Sequence, residues 1–244
     1  MDKGIGFTRN ICRHWLDLTA SLCAQLDDPT EIRARVDSFL ENEGRGKEAR
    51  RKSIDALLGI WFNNREVIPE LHKQALRLYR VSISDEDRLW LHYGLTITYY
   101  PFFHDCVSTI GRFSRTEDYI TTRMVTRRMV ANHGNLGSLE RVVQRIVSSL
   151  REWKLLISGD RRHTYIPLRS QLTASDKSFE LWLLACALKV NPAEELPVQD
   201  LLGLPALFSF RFSVTISDIK GSTWFEVQRQ GMGWDMVRLV TKRG

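Results

Sequence analysis

The sequence lacks the short motifs that mark common enzyme and metal sites. Its six histidines include no pair four residues apart and no H-E-x-x-H, so no zinc motif is present. There is no G-x-S-x-G elbow, no Walker loop and no Rossmann glycine fingerprint. The four cysteines, Cys12, Cys23, Cys106 and Cys186, form no C-x-x-C pair and have apolar neighbours. We therefore expect buried, reduced thiols, no cofactor and no metal site.

The sequence also lacks an uninterrupted apolar run of the roughly 18 to 20 residues that a membrane helix needs. The best candidate, residues 93–110, is broken by Pro101, His104 and Asp105. The first residues do not follow the charged, apolar and small-residue order of a signal peptide. We expect a cytoplasmic protein that does not contact membranes.

Two short sequences match fragments of catalytic sites, and both favour a structural role. His104-Asp105-Cys106 falls in an aromatic helix of packing character. Glu152-Trp153-Lys154 matches the E-x-K fragment of restriction-type nucleases, with Asp118 as an upstream partner. That chemistry needs carboxylates on adjacent strands to hold a metal, whereas Glu152 lies near the end of a predicted helix. We expect no enzymatic activity.

The positive charge of the chain is concentrated in residues 112–169. This segment carries twelve Lys or Arg and five Asp or Glu, a net charge of +7. The whole chain has a net charge of +6, so the remainder is close to neutral at −1. A local basic field of this kind favours binding to nucleic acid.

The first 113 residues have apolar side chains at helical spacing and no defensible strand pattern, which predicts an all-helical domain over 1–113. Asp28-Pro29 resembles an N-cap followed by a first-turn proline, and Ser84-x-x-Asp87 is a second cap. The predicted helices cover residues 7–26, 29–41, 54–61, 69–79 and 84–113, with an interruption at Pro101.

Residues 114–169 have the pattern of a winged helix-turn-helix. Ser114-x-x-Glu117 has capping-box spacing and predicts a helix over 117–131. Ser138 is a suitable N-cap for the next helix, whose apolar residues form one continuous stripe. A hairpin then follows, with strands at 155–157 and 163–168 and a turn at Gly159-Asp160. The stripe consists of Leu139, Val142, Val143, Ile146, Val147, Leu150 and Trp153.

Residues 170–244 predict a second winged module, on a weaker pattern. We expect a helix over 178–188, a short helical region after Asn191, a strand over 210–216, a helix capped by Ser222 over 222–230, and a strand over 235–240. The predicted fold class is therefore mainly α, with a helical N-terminal domain followed by one or two winged modules with short β-hairpins.

The winged segment supplies the predicted binding residues, because the second helix of a helix-turn-helix lies in the major groove. Its basic and polar side chains fall opposite the apolar stripe, on the preceding helix and at the wing tip, and they favour double-stranded DNA over RNA. The predicted DNA-binding residues are Arg123, Arg127, Arg128, Arg141, Gln144, Arg145, Ser148, Arg161, Arg162 and His163. Secondary candidates are Arg45, Lys47, Arg50, Arg51, Lys52, Gln228 and Arg229.

Two alternatives remain open at this point. Winged domains also dock proteins, and the aromatic helix around residues 99–103 suggests partly exposed Tyr99, Tyr100 and Phe103 for a protein-interaction scaffold. The basic run at 45–52 suggests RNA binding by the helical part, or a solvated helix start.

Several segments resemble the BrxA family of BREX bacteriophage-defence systems. Tyr100-Pro-Phe-Phe-His-Asp105, after Leu89-Trp-Leu-His-Tyr-Gly, is the most specific of them. The others are Arg51-Lys-Ser-Ile-Asp-Ala-Leu-Leu-Gly-Ile-Trp61, Leu139-Glu-Arg-Val-Val-Gln-Arg145 and Glu152-Trp-Lys-Leu-Leu156. The resemblance covers about residues 45–168. It implies a helical part similar to the NusB fold, winged-helix DNA binding, other defence-system subunits as partners, and a non-enzymatic role in phage resistance.

Overall fold

Helices make up most of the computed structural model, which describes residues 6–134, 136–230 and 233–240. The N-terminal part contains α1 (Arg13–Gln25), α2 (Pro29–Asn42), α3 (Lys47–Leu58), a π-helical segment (Gly59–Asn63), α4 (Asn64–Val67), α5 (Pro69–Val81), α6 (Asp85–Tyr99) and α7 (Pro101–Phe113). No strand occurs between residues 6 and 113. The predicted mainly α class is confirmed, and residues 1–5, 135, 231–232 and 241–244 of the predicted domains fall outside the described residues.

Local sequence signals determine where these helices begin. The side chain of Asp28 accepts a hydrogen bond from the backbone N–H of Thr30, with Pro29 in the first turn. Ser84 accepts from the backbone N–H of Asp87 in the same way. Pro101 separates α6 from α7, because it cannot donate the backbone hydrogen bond that would continue the helix. Both predicted caps and the interruption are confirmed.

The centre of the N-terminal part is α6, which is buried from Leu89 to Thr98. Gly94 lets the indole of Trp182 on a later helix approach its backbone, where a Cβ would clash with the ring. His92 accepts from the Trp61 indole at 3.0 Å through Nδ1, so its Nε2–H donates to Asp17 at 3.0 Å. The aromatic residues of the region are therefore core residues. Tyr100 and Phe103 are buried and Tyr99 is half-buried, so the expected aromatic exposure is wrong for the first two.

The first winged module follows the order helix, strand, helix, helix, strand, strand. Its elements are α7, β1 (Ile120–Thr121), α8 (Thr122–His133), α9 (Leu139–Glu152), β2 (Leu156–Ser158) and β3 (Thr164–Pro167). The strands form an antiparallel sheet in the order β1-β3-β2. Every residue of the predicted apolar stripe of α9 is buried. The predicted helix behind the apolar stripe and the predicted hairpin are thus confirmed.

The predicted start of α8 is wrong. Ser114 ends α7, and its hydroxyl donates to the carbonyl of Gly111 at 2.8 Å. Thr121 caps α8 instead, by accepting from the backbone N–H of Met124 at 3.1 Å. Ser138 is at the N-cap position of α9, but its side chain makes no capping hydrogen bond.

The last third repeats the same order of elements. It contains α10 (Lys177–Val190), β4 (Glu195–Pro197), α11 (Val198–Leu202), a 3-10 turn (Pro205–Leu207), α12 (Ile216–Gly221), β5 (Phe225–Gln230) and β6 (Trp234–Leu239). The antiparallel sheet has the order β4-β6-β5, which matches the first sheet strand for strand. This repeat agrees with the predicted second winged module.

Three details of that prediction are wrong. Residues 191–194 form bends, and β4 follows them. No strand forms over residues 210–216. Phe210 makes only an isolated bridge with Leu172, the backbone N–H groups of Ser213 and Val214 donate to the Glu180 carboxylate at 2.6 and 3.0 Å, and Ile216 begins α12. Residues 225–230 form strand β5, because they pair along their whole length with β6.

The two winged modules and the N-terminal helices share one hydrophobic core. The 3-10 turn of the second module packs on α7 of the first at Gly111, where a Cβ would overlap the carbonyl of Pro205. The hydroxyl of Tyr93 on α6 donates to the carbonyl of Ala206 in the same turn. The domain boundaries at residues 113 and 169 remain predictions. Among the described residues, no helix has both the length and the apolar character needed to cross a membrane.

Candidate nucleic-acid interface

A groove of about 870 Å³ lies between α8, α9 and the hairpin of the first module. Six of the predicted DNA-binding residues line it, namely Arg123, Arg127, Gln144, Arg145, Ser148 and His163. The remaining lining residues are Thr122, Thr126, Glu140 and Tyr165. Arg128, Arg141, Arg161 and Arg162 are exposed but do not line the groove. The structure therefore brings side chains from three elements to one surface.

Helix α8 presents Arg123 and Arg127 to this groove because its opposite face is buried. Val125 and Met129, four residues apart, pack in the core. Arg123 and Arg127 have the same spacing and are exposed on the groove side. Thr126 lies between them, and its hydroxyl has no hydrogen-bond partner among the described residues.

The C-terminal half of α9 is hydrogen-bonded to Asn10 and Ile11, which precede α1. The hydroxyl of Ser149 accepts from the backbone N–H of Ile11 at 2.8 Å and donates to the Asn10 side chain at 3.1 Å. The indole of Trp153 donates to the carbonyl of Ile11 at 2.9 Å. Since both groups of Ile11 are satisfied by α9, the position of the helix is set from outside its own module.

The tip of the hairpin carries the remaining predicted residues. A tight turn is closed by the backbone N–H of Thr164, which donates to the carbonyl of Arg161 at 3.1 Å. His163 in this turn has a φ of 62°, in the left-handed region that histidine tolerates better than most residues. Arg161, Arg162 and His163 are all exposed, so the tip presents a short basic projection beside the groove.

The arginines of this surface have no acidic partners within the described part of the chain. No ion pair or side-chain hydrogen bond is formed by Arg123, Arg127, Arg128, Arg141, Arg145, Arg161 or Arg162. The one acid that lines the groove is Glu140, which accepts from Gln144 at 3.4 Å. Unpaired guanidinium groups keep their full charge for an external anion.

The secondary candidates at 45–52 are in a different situation. Arg50 is largely covered and binds both Asp37 and Glu41 at 2.8 Å. Glu48 pairs with Arg51 and Lys52, each at 3.0 Å, and these contacts lower the pKa of the Glu48 carboxyl to about 2. Arg45 lies over the ring of Trp15 at 5.1 Å, and Lys47 is exposed. Most of the charge of this run is balanced by neighbouring acids.

The two secondary candidates in the second module lie on a strand. Gln228 and Arg229 belong to β5, opposite Met236 and Asp235 of β6. The helix predicted over 222–230 is wrong, because residues 225–230 pair with β6. Both side chains remain exposed.

The catalytic fragments are placed as follows. Cys106 is fully buried, and burial raises the pKa of its thiol well above the usual value. Asp105 pairs with His133 at 3.2 Å and with His104 at 3.4 Å. Asp118 is 99% exposed in a turn, and Glu152 lies at the end of α9, where it accepts from the backbone N–H of Arg13 at 2.7 Å.

Sequence reasoning missed Thr122, Thr126, Glu140 and Tyr165 of the groove. Thr122 and Thr126 lie within the predicted helix, next to Arg123 and Arg127, but a search for charged side chains passes over them because they are uncharged. Compared with known proteins, the chain matches no family model, no curated protein and no solved structure, and its resemblance to the BrxA family stays a prediction.

Proposed function

We propose that this chain binds double-stranded DNA through the groove and wing of its first winged module, without catalytic activity of its own. The observation that carries the proposal is the set of unpaired arginines on three adjoining elements. Neutralising phosphates with such side chains releases counterions and supplies the sequence-independent part of affinity.

The two helices of this surface are suited to different parts of the DNA. Arg123, Arg127 and the hydroxyl of Thr126 form a row on α8 that suits phosphate oxygens. On α9, Arg141 and Gln144 are exposed near the N-terminal end, where a recognition helix meets base edges. Arginine recognises guanine and glutamine recognises adenine by paired hydrogen bonds. We therefore assign α8 to positioning and α9 to sequence reading.

The cellular setting that we propose rests on the resemblance to BrxA. In that setting the chain is a cytoplasmic component of a phage-defence system and works with other subunits of it. The segment that carries the most specific resemblance, residues 100–105, leads into α7, the first helix of the first winged module, and its Tyr100, Phe102 and Phe103 are buried in the core. Because these residues are in the core, their resemblance to BrxA supports a similar fold rather than a similar binding surface.

One observation favours docking of a protein partner as a second function. Ile157 and Ile166 are cross-strand neighbours on the hairpin and are 45% and 39% exposed. Tyr119, beside this sheet, is 54% exposed. An apolar face on the wing is a common feature of interaction surfaces. The RNA alternative receives less support, because acids pair with most of the 45–52 run.

The proposal is tested by fluorescence anisotropy of a labelled duplex over a salt series. We expect binding at low salt that weakens steeply as salt rises. Arg141→Glu with Arg145→Glu should reduce the affinity at least tenfold. The matched control, Arg77→Glu with Arg112→Glu, makes the same charge change at exposed residues off the groove. Undetectable binding at low salt, or equal loss in both variants, contradicts the proposal.

A further inference from the structure

We propose that Cys12, His14 and Glu152 form a binding site for a zinc-type divalent cation. The three residues offer a thiol sulfur, an imidazole nitrogen and a carboxylate oxygen that lie within 4.8 Å of one another. Zinc accepts this combination of ligands, at about 2.0 to 2.3 Å from each atom. A small inward movement of the side chains would bring the three atoms to those distances.

The site is assembled from distant parts of the sequence, which is why no motif reveals it. Cys12 and His14 lie at the start of α1, one residue apart. Glu152 is the last residue of α9, and its carboxylate is held at this position by the backbone N–H of Arg13 at 2.7 Å. That hydrogen bond uses Oε2 and leaves Oε1 for an ion.

The surroundings of His14 resemble the outer shell of a metal site. Its Nε2 is 2.8 Å from Oε1 of Glu43, and the other oxygen of Glu43 accepts from the Trp15 indole at 2.7 Å. A histidine that donates to a carboxylate through one nitrogen keeps a lone pair on the other, and metal-bound histidines almost always have such a partner. Glu43 is thus positioned to orient His14 and to increase its basicity.

The charges of the site fit a divalent cation. A thiolate and a carboxylate balance two positive charges, and the neutral imidazole adds none. Without an ion, Cys12 is a buried, free thiol. An ion would displace the proton, as metals do when they bind cysteine. Three protein ligands leave a fourth position for water.

An ion in this site would join the first helix of the chain to the end of the recognition helix. The link would add to the hydrogen bonds that Ser149 and Trp153 make to Ile11, the residue before Cys12. The inference does not depend on DNA binding, and it predicts that the metal raises the melting temperature whether or not duplex is present.

The test is a titration of the full chain, stripped with a chelator, with Co²⁺ followed by competition with Zn²⁺. We expect a thiolate-to-cobalt charge-transfer band that Zn²⁺ removes. Cys12→Ser should abolish the band. Cys23→Ser is the matched control, since Cys23 lies on the same helix with the same 8% exposure but outside the cluster. Absence of the band, or its equal loss in both variants, overturns the proposal.

Two further variants keep the test decisive if Cys12→Ser unfolds. His14→Ala alters a side chain that is 53% exposed, so it should fold and lose the cobalt affinity. Glu43→Gln should weaken the cobalt affinity about tenfold to a hundredfold, as the loss of an outer-shell partner does. Unchanged affinity in both variants contradicts the assigned ligands.

Discussion

The contact between the N-terminal segment and the recognition helix gives a sharp prediction for Ser149→Ala. Ser149 and Ile11 are both fully buried, and the serine hydroxyl accepts from the backbone N–H of Ile11 at 2.8 Å. Alanine would leave this N–H buried without a partner, which costs about 1–3 kcal/mol. Trp153→Phe would leave the buried carbonyl of Ile11 without its hydrogen-bond donor, at a similar cost in free energy.

Urea denaturation followed by circular dichroism measures this cost. Ser148→Ala is the matched control, since Ser148 lies next to Ser149 but faces the groove. We expect the control to change the free energy of unfolding by less than about 0.5 kcal/mol while weakening duplex binding. We expect Ser149→Ala to show the reverse pattern. A loss below about 0.5 kcal/mol for Ser149→Ala, or equal losses for the two serines, would refute the reasoning.

Three other perturbations test the core, the packing between modules and the secondary basic run. Burial lowers the pKa of His72 and His92, so both histidines take up protons when the chain unfolds at acidic pH. As the pH decreases below about 6.5, each histidine should therefore reduce the free energy of unfolding by up to about 1.4 kcal/mol per pH unit. Denaturation at several pH values checks this, and His72→Gln should flatten the decline. Gly111→Ala should lower the free energy of unfolding by about 1–3 kcal/mol or more because its Cβ meets backbone. Gly137→Ala, where a Cβ would meet no described atom within 4 Å, should be nearly neutral. Arg50→Ala should lower the melting temperature and leave duplex affinity within about twofold, since its guanidinium is held by acids.

Periodicity was sufficient where one face of an element is buried along its whole length. The apolar stripe of α9 predicts that helix and the basic face opposite it, because seven buried positions recur at helical spacing. The caps at Asp28 and Ser84 were predictable because each side chain accepts from a backbone N–H only two or three residues ahead. Such short-range interactions are encoded locally.

The wrong predictions depended on partners that are distant in the sequence. Phe210 and Phe212 alternate as in a strand, but their rings pack on Trp90, with centroids 4.7 and 5.5 Å away, and the following N–H groups donate to Glu180. The segment after Ser222 becomes a strand because β6 pairs with it. In both cases the tertiary partner decides the structure.

For the candidate interface, the sequence predicted the basic residues but not the groove, because the groove depends on tertiary contacts. Its charged residues follow from composition and helical faces, but the groove requires α8, α9 and the hairpin to meet. Glu140 illustrates the difference, since its acidic charge appears irrelevant in a basic segment until the groove places it among the arginines. The pairing of Arg50 with Asp37 and Glu41 was likewise invisible, because these acids lie on the preceding helix.

The central claim is that the unpaired arginines of the groove contact DNA phosphates, and the salt dependence of duplex binding tests it most directly. Each phosphate contact contributes about −0.9 to the slope of log K against log salt. Arg123→Ala with Arg127→Ala should therefore make the slope shallower by about 1.8. The charge-matched control, Arg77→Ala with Arg112→Ala, should leave the slope unchanged. Equal slopes for the wild type and the groove variant would contradict the account.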